Sequence, residues 1–89
     1  MEIIIDPTKD KINIAKHGLS LADAVKLVWD EAQVKIDDSQ CYGEVREIAF
    51  APIDDRLYCV VFTDRGKTRR IISLRKATKQ EVKYYVEQA

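Results

Sequence analysis

Apolar and polar positions change their spacing several times along the 89 residues, and each change marks an element. Ile3 to Ile5 make a short apolar run closed by Asp6-Pro7. Proline brings no amide donor and suits the first turn of a helix, so the pattern predicts a strand followed by a helix over about Pro7–His17. Gly18 then fits the left-handed position that closes many helices. Ser20 with Asp23 resembles a capping box, and Leu21, Val25, Val28 and Trp29 recur at helical spacing. A second helix is therefore expected over about Leu21–Glu31, with that stripe inward.

From there the spacing drops to two. Val34 and Ile36 alternate with polar neighbours, and after Asp37-Asp38-Ser39 a run from Glu44 to Ala51 sends Arg46, Ile48 and Phe50 to one side. Pro52-Ile53-Asp54-Asp55 reads as a turn into Leu57–Thr63, whose nearly unbroken apolar character suits a central strand covered on both faces. Asp64-Arg65-Gly66-Lys67 is expected as a hairpin connection and Thr68–Arg75 as the returning strand. Thr78 and Glu81 form a capping box ahead of Val82, Tyr85 and Val86, which signals a C-terminal helix. Runs of like elements favour an α+β fold: a strand, two helices, about four strands in a largely antiparallel sheet, and a last helix, all in one domain over residues 1–89.

Charge changes this picture because it is segregated. The formal net charge is zero, yet residues 1–44 hold five Lys/Arg against nine Asp/Glu and residues 45–89 hold ten against six. From Arg65 to Lys83, eight basic residues meet one acid, Glu81. A polyanion is drawn to one part of such a molecule and repelled by the other. Leu57–Phe62, the longest apolar run, is too short for a membrane span, and Met1-Glu2-Ile3 does not open a secretory leader, so a cytoplasmic location is expected. Cys41 and Cys59 lack metal-ligand spacing, and with a single histidine no metal site and no cofactor are expected.

Two constellations carry candidate chemistry. On the first helix, Lys9, Asn13, Lys16 and His17 fall within a narrow arc and form one polar ridge. This is either a solvated face or a phosphate-facing one. His17 carries the one side chain type that titrates near neutrality, and equally it can stabilise the helix C-terminus. On the returning strand, alternation sends Arg69, Ile71, Ser73 and Arg75 to one side and Arg70, Ile72 and Leu74 to the other, unless a bulge intervenes. Arg70 is then expected to be partly covered and paired with Glu44 or Glu47, and Arg75 to be freer to meet a phosphate.

These residues carry a resemblance. Asp6-Pro7-Thr8-Lys9, Asn13, Lys16-His17-Gly18 and Ala24, then Gly43-Glu44 and Thr63, then Arg70-Ile71-Ile72-Ser73 with Arg75, Ala77, Glu81 and Tyr85, resemble the BrnT family of toxins from bacterial toxin–antitoxin pairs. The chain has Ile5 where the family commonly has an aromatic residue, and Leu21 where it has Phe. The resemblance implies a RelE-like fold and a metal-independent ribonuclease that arrests translation. It also implies a ribbon-helix-helix antitoxin similar to BrnA, an assembly with two copies of each chain, and contact with operator DNA through the antitoxin alone.

In such a reaction a 2′-hydroxyl attacks the adjacent phosphate, which needs a base, an acid and cations. His17 is the first candidate for base or acid, Lys16 and Arg75 for charge stabilisation, and Arg70 for the same role or for orienting the site. Tyr85 is either a proton donor or part of the helix stripe. Lys9, Asn13, Lys67, Arg69, Lys76 and Lys79 are expected to touch RNA, with Glu44, Ser73 and Glu81 supporting the site. A different class of function is also consistent with the residues: a non-catalytic module that binds nucleic acid or an acidic partner through the basic C-terminal segment.

Overall fold

The structure is a computed structural model and describes residues 1–37 and 45–89. Glu44, Gly43 and Cys41 lie outside the described residues. Strand β1 (Glu2–Ile5) leads into helix α1 (Pro7–His17), and the chain then makes two 3₁₀ segments, Leu21–Lys26 and Trp29–Glu31. Strands β2 (Gln33–Asp37), β3 (Arg46–Ile53), β4 (Arg56–Arg65) and β5 (Thr68–Lys76) follow, and helix α2 (Lys79–Gln88) ends the chain. The five strands form one sheet in the order β1-β5-β4-β3-β2. All pairs are antiparallel except β1 on β5, which is parallel. The fold is α+β, with β1 added to the edge of the expected four-stranded unit.

Local signals set the helix ends. The Asp6 carboxylate accepts from the Thr8 amide, Pro7 opens α1, and Gly18 closes it at φ 71° with its N–H on the Ile14 carbonyl. In α2 both halves of the Thr78–Glu81 capping box are present.

The expected second helix is replaced by the two 3₁₀ segments. The buried residues are Leu21, Ala24 and Leu27, spaced by three, whereas Val25 and Val28 are 63% and 42% exposed. Three residues per turn put every third side chain on one line, so the inward stripe is not the one a 3.6-residue period selects. Leu27 is extended, at ψ 139°, and the Val28 amide turns to the Pro52 carbonyl of β3, which stops a longer helix from forming.

One face of the sheet holds the core. Phe62, Val60, Ile71, Leu74, Ala49 and Ala51 pack against Leu21, Ala24 and Leu27, with Trp29 edge-on to Phe62 at 5.4 Å. The alanines of β3 and the 3₁₀ segment leave room for this close approach. The other face, called the open face below, carries α2 at its β2–β3 end. No α2 residue is buried.

Candidate functional site

The site begins with a bulge. β4 and β5 pair regularly from Arg65↔Thr68 to Phe62↔Ile71, but Val61 then pairs with Ser73, so Ile72 is an extra residue on β5. Directly paired residues share a face, and one inserted residue shifts the alternation by one. Arg70, Ser73 and Arg75 therefore all point to the open face, while Arg69, Ile71 and Leu74 point to the core side. The regular alternation expected from sequence, with Arg70 and Arg75 on opposite faces, is corrected by this single residue. Along β5, roughly 15 Å separates the two arginine Cα atoms.

Pairing lines the open face in rungs. One runs Gln33, Phe50, Cys59, Arg75 across β2, β3, β4 and β5, and the next runs Lys35, Ile48, Val61, Ser73. Arg70 is exposed and stands opposite Thr63, with Ile4 of β1 on its other side. The Thr63 hydroxyl is buried and donates to the Val45 carbonyl at 2.9 Å. Cys59, beneath Arg75, is buried, and burial pushes its thiol above the usual range, which keeps it neutral rather than nucleophilic.

Arg75 is held in a fork. Its Nη1 and Nη2 donate to Oε1 and Oε2 of Glu81 at 2.8 and 2.9 Å, and Glu81 Oε1 also accepts from the Thr78 amide at 2.8 Å. The guanidinium holds the Glu81 carboxyl down at about 2, and the same hydrogen bonds raise Arg75 above its ordinary value. One carboxylate thus caps α2, joins it to the end of β5 and aims the arginine.

Helix α1 closes the edge of the site. Among the described residues no strand pairs with the β1 side of β5 beyond Ile5↔Ile71, and Asn13 takes that place. Its side chain donates to the Leu74 and Leu19 carbonyls at 2.8 and 2.9 Å and accepts from the Leu74 amide at 3.1 Å. Asn13, expected among the RNA-contacting residues, is 5% exposed and spends its side-chain amide on docking α1 to the sheet. Around the helix, His17 lies about 40° from Asn13 toward Asp10, whose carboxylate holds the Ser20 hydroxyl and the Leu21 amide on the core side. Lys9 and Lys16 lie on the opposite flank, toward the open face. The four-residue ridge is thereby split.

The remaining expected residues scatter. Arg69, expected to touch RNA, instead turns to the core side, paired to Asp64 at 2.7 and 2.9 Å and stacked over Phe62 and Trp29 at 4.1 and 4.6 Å. Glu47 pairs across from Phe62, on the face opposite Arg70, and is not its partner. Lys67 lies at the β4–β5 turn, whereas Lys76 ends β5 and Lys79 opens α2. The Tyr85 hydroxyl donates to the Glu31 carbonyl at 2.6 Å and Gln33 donates to the Tyr85 carbonyl, which ties the later turns of α2 to the second 3₁₀ segment and β2, while Glu81 in its first turn holds Arg75.

Sequence reasoning missed the β2–β3 end of the open face. Lys35 lies over the Phe50 ring at 5.9 Å, and Phe50, Lys35, Tyr84 and Gln33 line a cleft beside α2. Period-two spacing already put Phe50 and Ile48 on one side; the β2–β3 register that adds Lys35 is non-local.

A family model described as the ribonuclease toxin, BrnT, of type II toxin-antitoxin systems matches residues 6–81. The chain belongs to the BrnT family. The matched region runs from the Asp6 cap of α1 to the Glu81 carboxylate that holds Arg75. No curated protein matches the chain. Membership of the BrnT family brings ribonuclease toxin activity and an antitoxin partner with it, and no described helix is long and apolar enough to cross a membrane.

Proposed function

We propose that this BrnT-family chain cleaves single-stranded RNA on the open face of the sheet without a metal ion. Arg75 holds the scissile phosphate, Arg70 holds a neighbouring phosphate of the same strand, and Lys16 approaches from the flank of α1. The 2′-oxygen attacks phosphorus, the bond to the 5′-oxygen breaks, and the products are a 2′,3′-cyclic phosphate and a 5′-hydroxyl. Negative charge that builds on the phosphorane is met by Arg75 and Lys16, an electrostatic contribution that is commonly the largest in such reactions. Ser73, between the two arginines, offers a hydroxyl to a phosphate oxygen.

The observation that supports this reading most is the bulge at Ile72, which turns Arg70, Ser73 and Arg75 to one face. His17 lies on the other flank of α1, so proton transfer is assigned to solvent and charge stabilisation carries the rate. Cleavage of this kind arrests translation in a cytoplasmic setting. The antitoxin is a ribbon-helix-helix protein that covers the open face, two copies of each chain assemble, and only the antitoxin reads operator DNA.

Cleavage of a labelled RNA by Arg75→Ala, Arg70→Ala and His17→Ala proteins, each checked for folding by circular dichroism, tests the reading. Arg75→Ala is expected to lower kcat/KM by roughly 10²- to 10³-fold, a loss like that of other transition-state donors. Arg70→Ala is expected to act mainly on KM, and His17→Ala to stay within a few-fold with no change in the shape of the pH profile. Full activity of Arg75→Ala, or an inflection near neutrality that disappears in His17→Ala, overturns the assignment.

A further inference from the structure

A cleft of about 600 Å³ opens between α2 and the β2–β3 end of the open face, a size that suits a small organic ligand. Gln33, Lys35, Phe50, Glu81, Tyr84 and Gln88 line it. Its chemistry is mixed in a particular way. Phe50 is half-buried and Tyr84 is 60% exposed, so two aromatic groups border one space. The Lys35 ammonium sits above Phe50 at 5.9 Å, and Gln33 is fixed by its bond to the Tyr85 carbonyl while its amide oxygen remains available as an acceptor.

The cleft lies beside the Arg75–Glu81 pair. Phe50 and Arg75 stand on the same rung with Cys59 between them, which puts their Cα atoms about 10 Å apart at ordinary strand spacing. Glu81 belongs to both: it lines the cleft and holds the Arg75 guanidinium.

We infer that this cleft is a nucleobase pocket, in which Tyr84 and Phe50 stack the base of the nucleotide whose phosphate lies at Arg75. This rests on the ribonuclease reading above. Unstacked bases in single-stranded RNA bind between aromatic side chains and are read at their edges by amides and charged groups, and the lining supplies both. A hydrophobic anchor of a protein partner prefers a continuous apolar lining, whereas amides and a carboxylate interrupt this one. Cleavage preference is then set at Gln33, Lys35 and Gln88, which face the edge of the base.

Tyr84 gives the cleanest test, because its exposure means that truncation leaves the core intact. The toxin freed from its antitoxin is assayed on a fluorescently labelled single-stranded oligoribonucleotide, as wild type and as Tyr84→Ala, Tyr84→Phe and Tyr84→Leu. A parallel titration uses AMP, GMP, CMP and UMP, with the Phe50 and Tyr84 ring signals followed by NMR. Tyr84→Ala and Tyr84→Leu are expected to raise KM about 5- to 100-fold with kcat little changed, and Tyr84→Phe to keep wild-type values, since stacking needs the ring and not the hydroxyl. At least one mononucleotide is expected to shift both ring signals. Unchanged KM in Tyr84→Ala beside an active wild type overturns the pocket and leaves the ribonuclease reading standing. A wild-type protein that cleaves nothing overturns that reading itself. If Tyr84→Ala weakens only antitoxin binding, the cleft belongs to the protein partner and the inference fails.

Discussion

Arg75 meets the Glu81 carboxylate through both terminal nitrogens and the Lys76 carbonyl through Nη1, so its Nε–H and outer Nη2–H form the edge left for a phosphate, with a carboxylate close by. Glu81 caps and anchors α2, and in the proposed site its negative charge opposes that of a bound phosphate. Glu81→Gln is expected to cost about 1 kcal/mol in urea unfolding at pH 7, for the weakened cap and pair, while tightening the binding of a non-cleavable RNA. The pH dependence has a defined sign. The Glu81 carboxyl is lowered from 4.5 to about 2 in the folded protein, so its contribution is complete above pH 4.5 and disappears as pH falls toward 2. Acid titration of the wild type and of Glu81→Gln should converge across that window. A constant gap between them would show that the pair adds nothing to stability. Asn13 shows how far a sequence can be read at this scale: its position in a polar ridge was legible, but the free edge of β5 that it fills is created by residues 61 positions away.

At the scale of elements, signals confined to a few residues translated well into structure. Pro7, Gly18 and the Thr78–Glu81 box act within one turn of chain, and α1 begins and ends, and α2 begins, where these residues put them. The two features that differ depend on distant partners. The 3₁₀ segments arise because the chain must bring Val28 to the Pro52 carbonyl, and the bulge arises where β5 carries one residue more than β4 between two paired positions. Leu27 and Val25 separate the two helical readings. Leu27→Ala should cost about 3 kcal/mol, as for a buried leucine, and Val25→Ala less than about 0.5 kcal/mol, as for an exposed site. The reverse order in urea denaturation would support an α-helical stripe through Val25.

Across the whole molecule, zero net charge conceals a division that the fold only partly turns into a surface. The eight basic residues from Arg65 to Lys83 do not form one patch. Arg69 is consumed by Asp64 on the core side, Lys67 stands at one end of β5 and Lys76 at the other, and the open face receives Arg70 and Arg75. The fold class and the BrnT family were readable from element order and motif spacing. Which arginines act together was not, because strand register and a one-residue bulge decide it.

In the proposed function, Arg70 and Arg75, brought to the open face by that bulge, hold the RNA phosphates. The most direct measurement is an NMR titration of the arginine side-chain Nε–H signals with a short 2′-O-methyl oligoribonucleotide, which carries the phosphates but lacks the attacking hydroxyl. The Arg70 and Arg75 signals are expected to shift together on binding while the Arg69 signal stays in place. A shift at Arg69 with Arg70 and Arg75 unmoved would contradict the proposal.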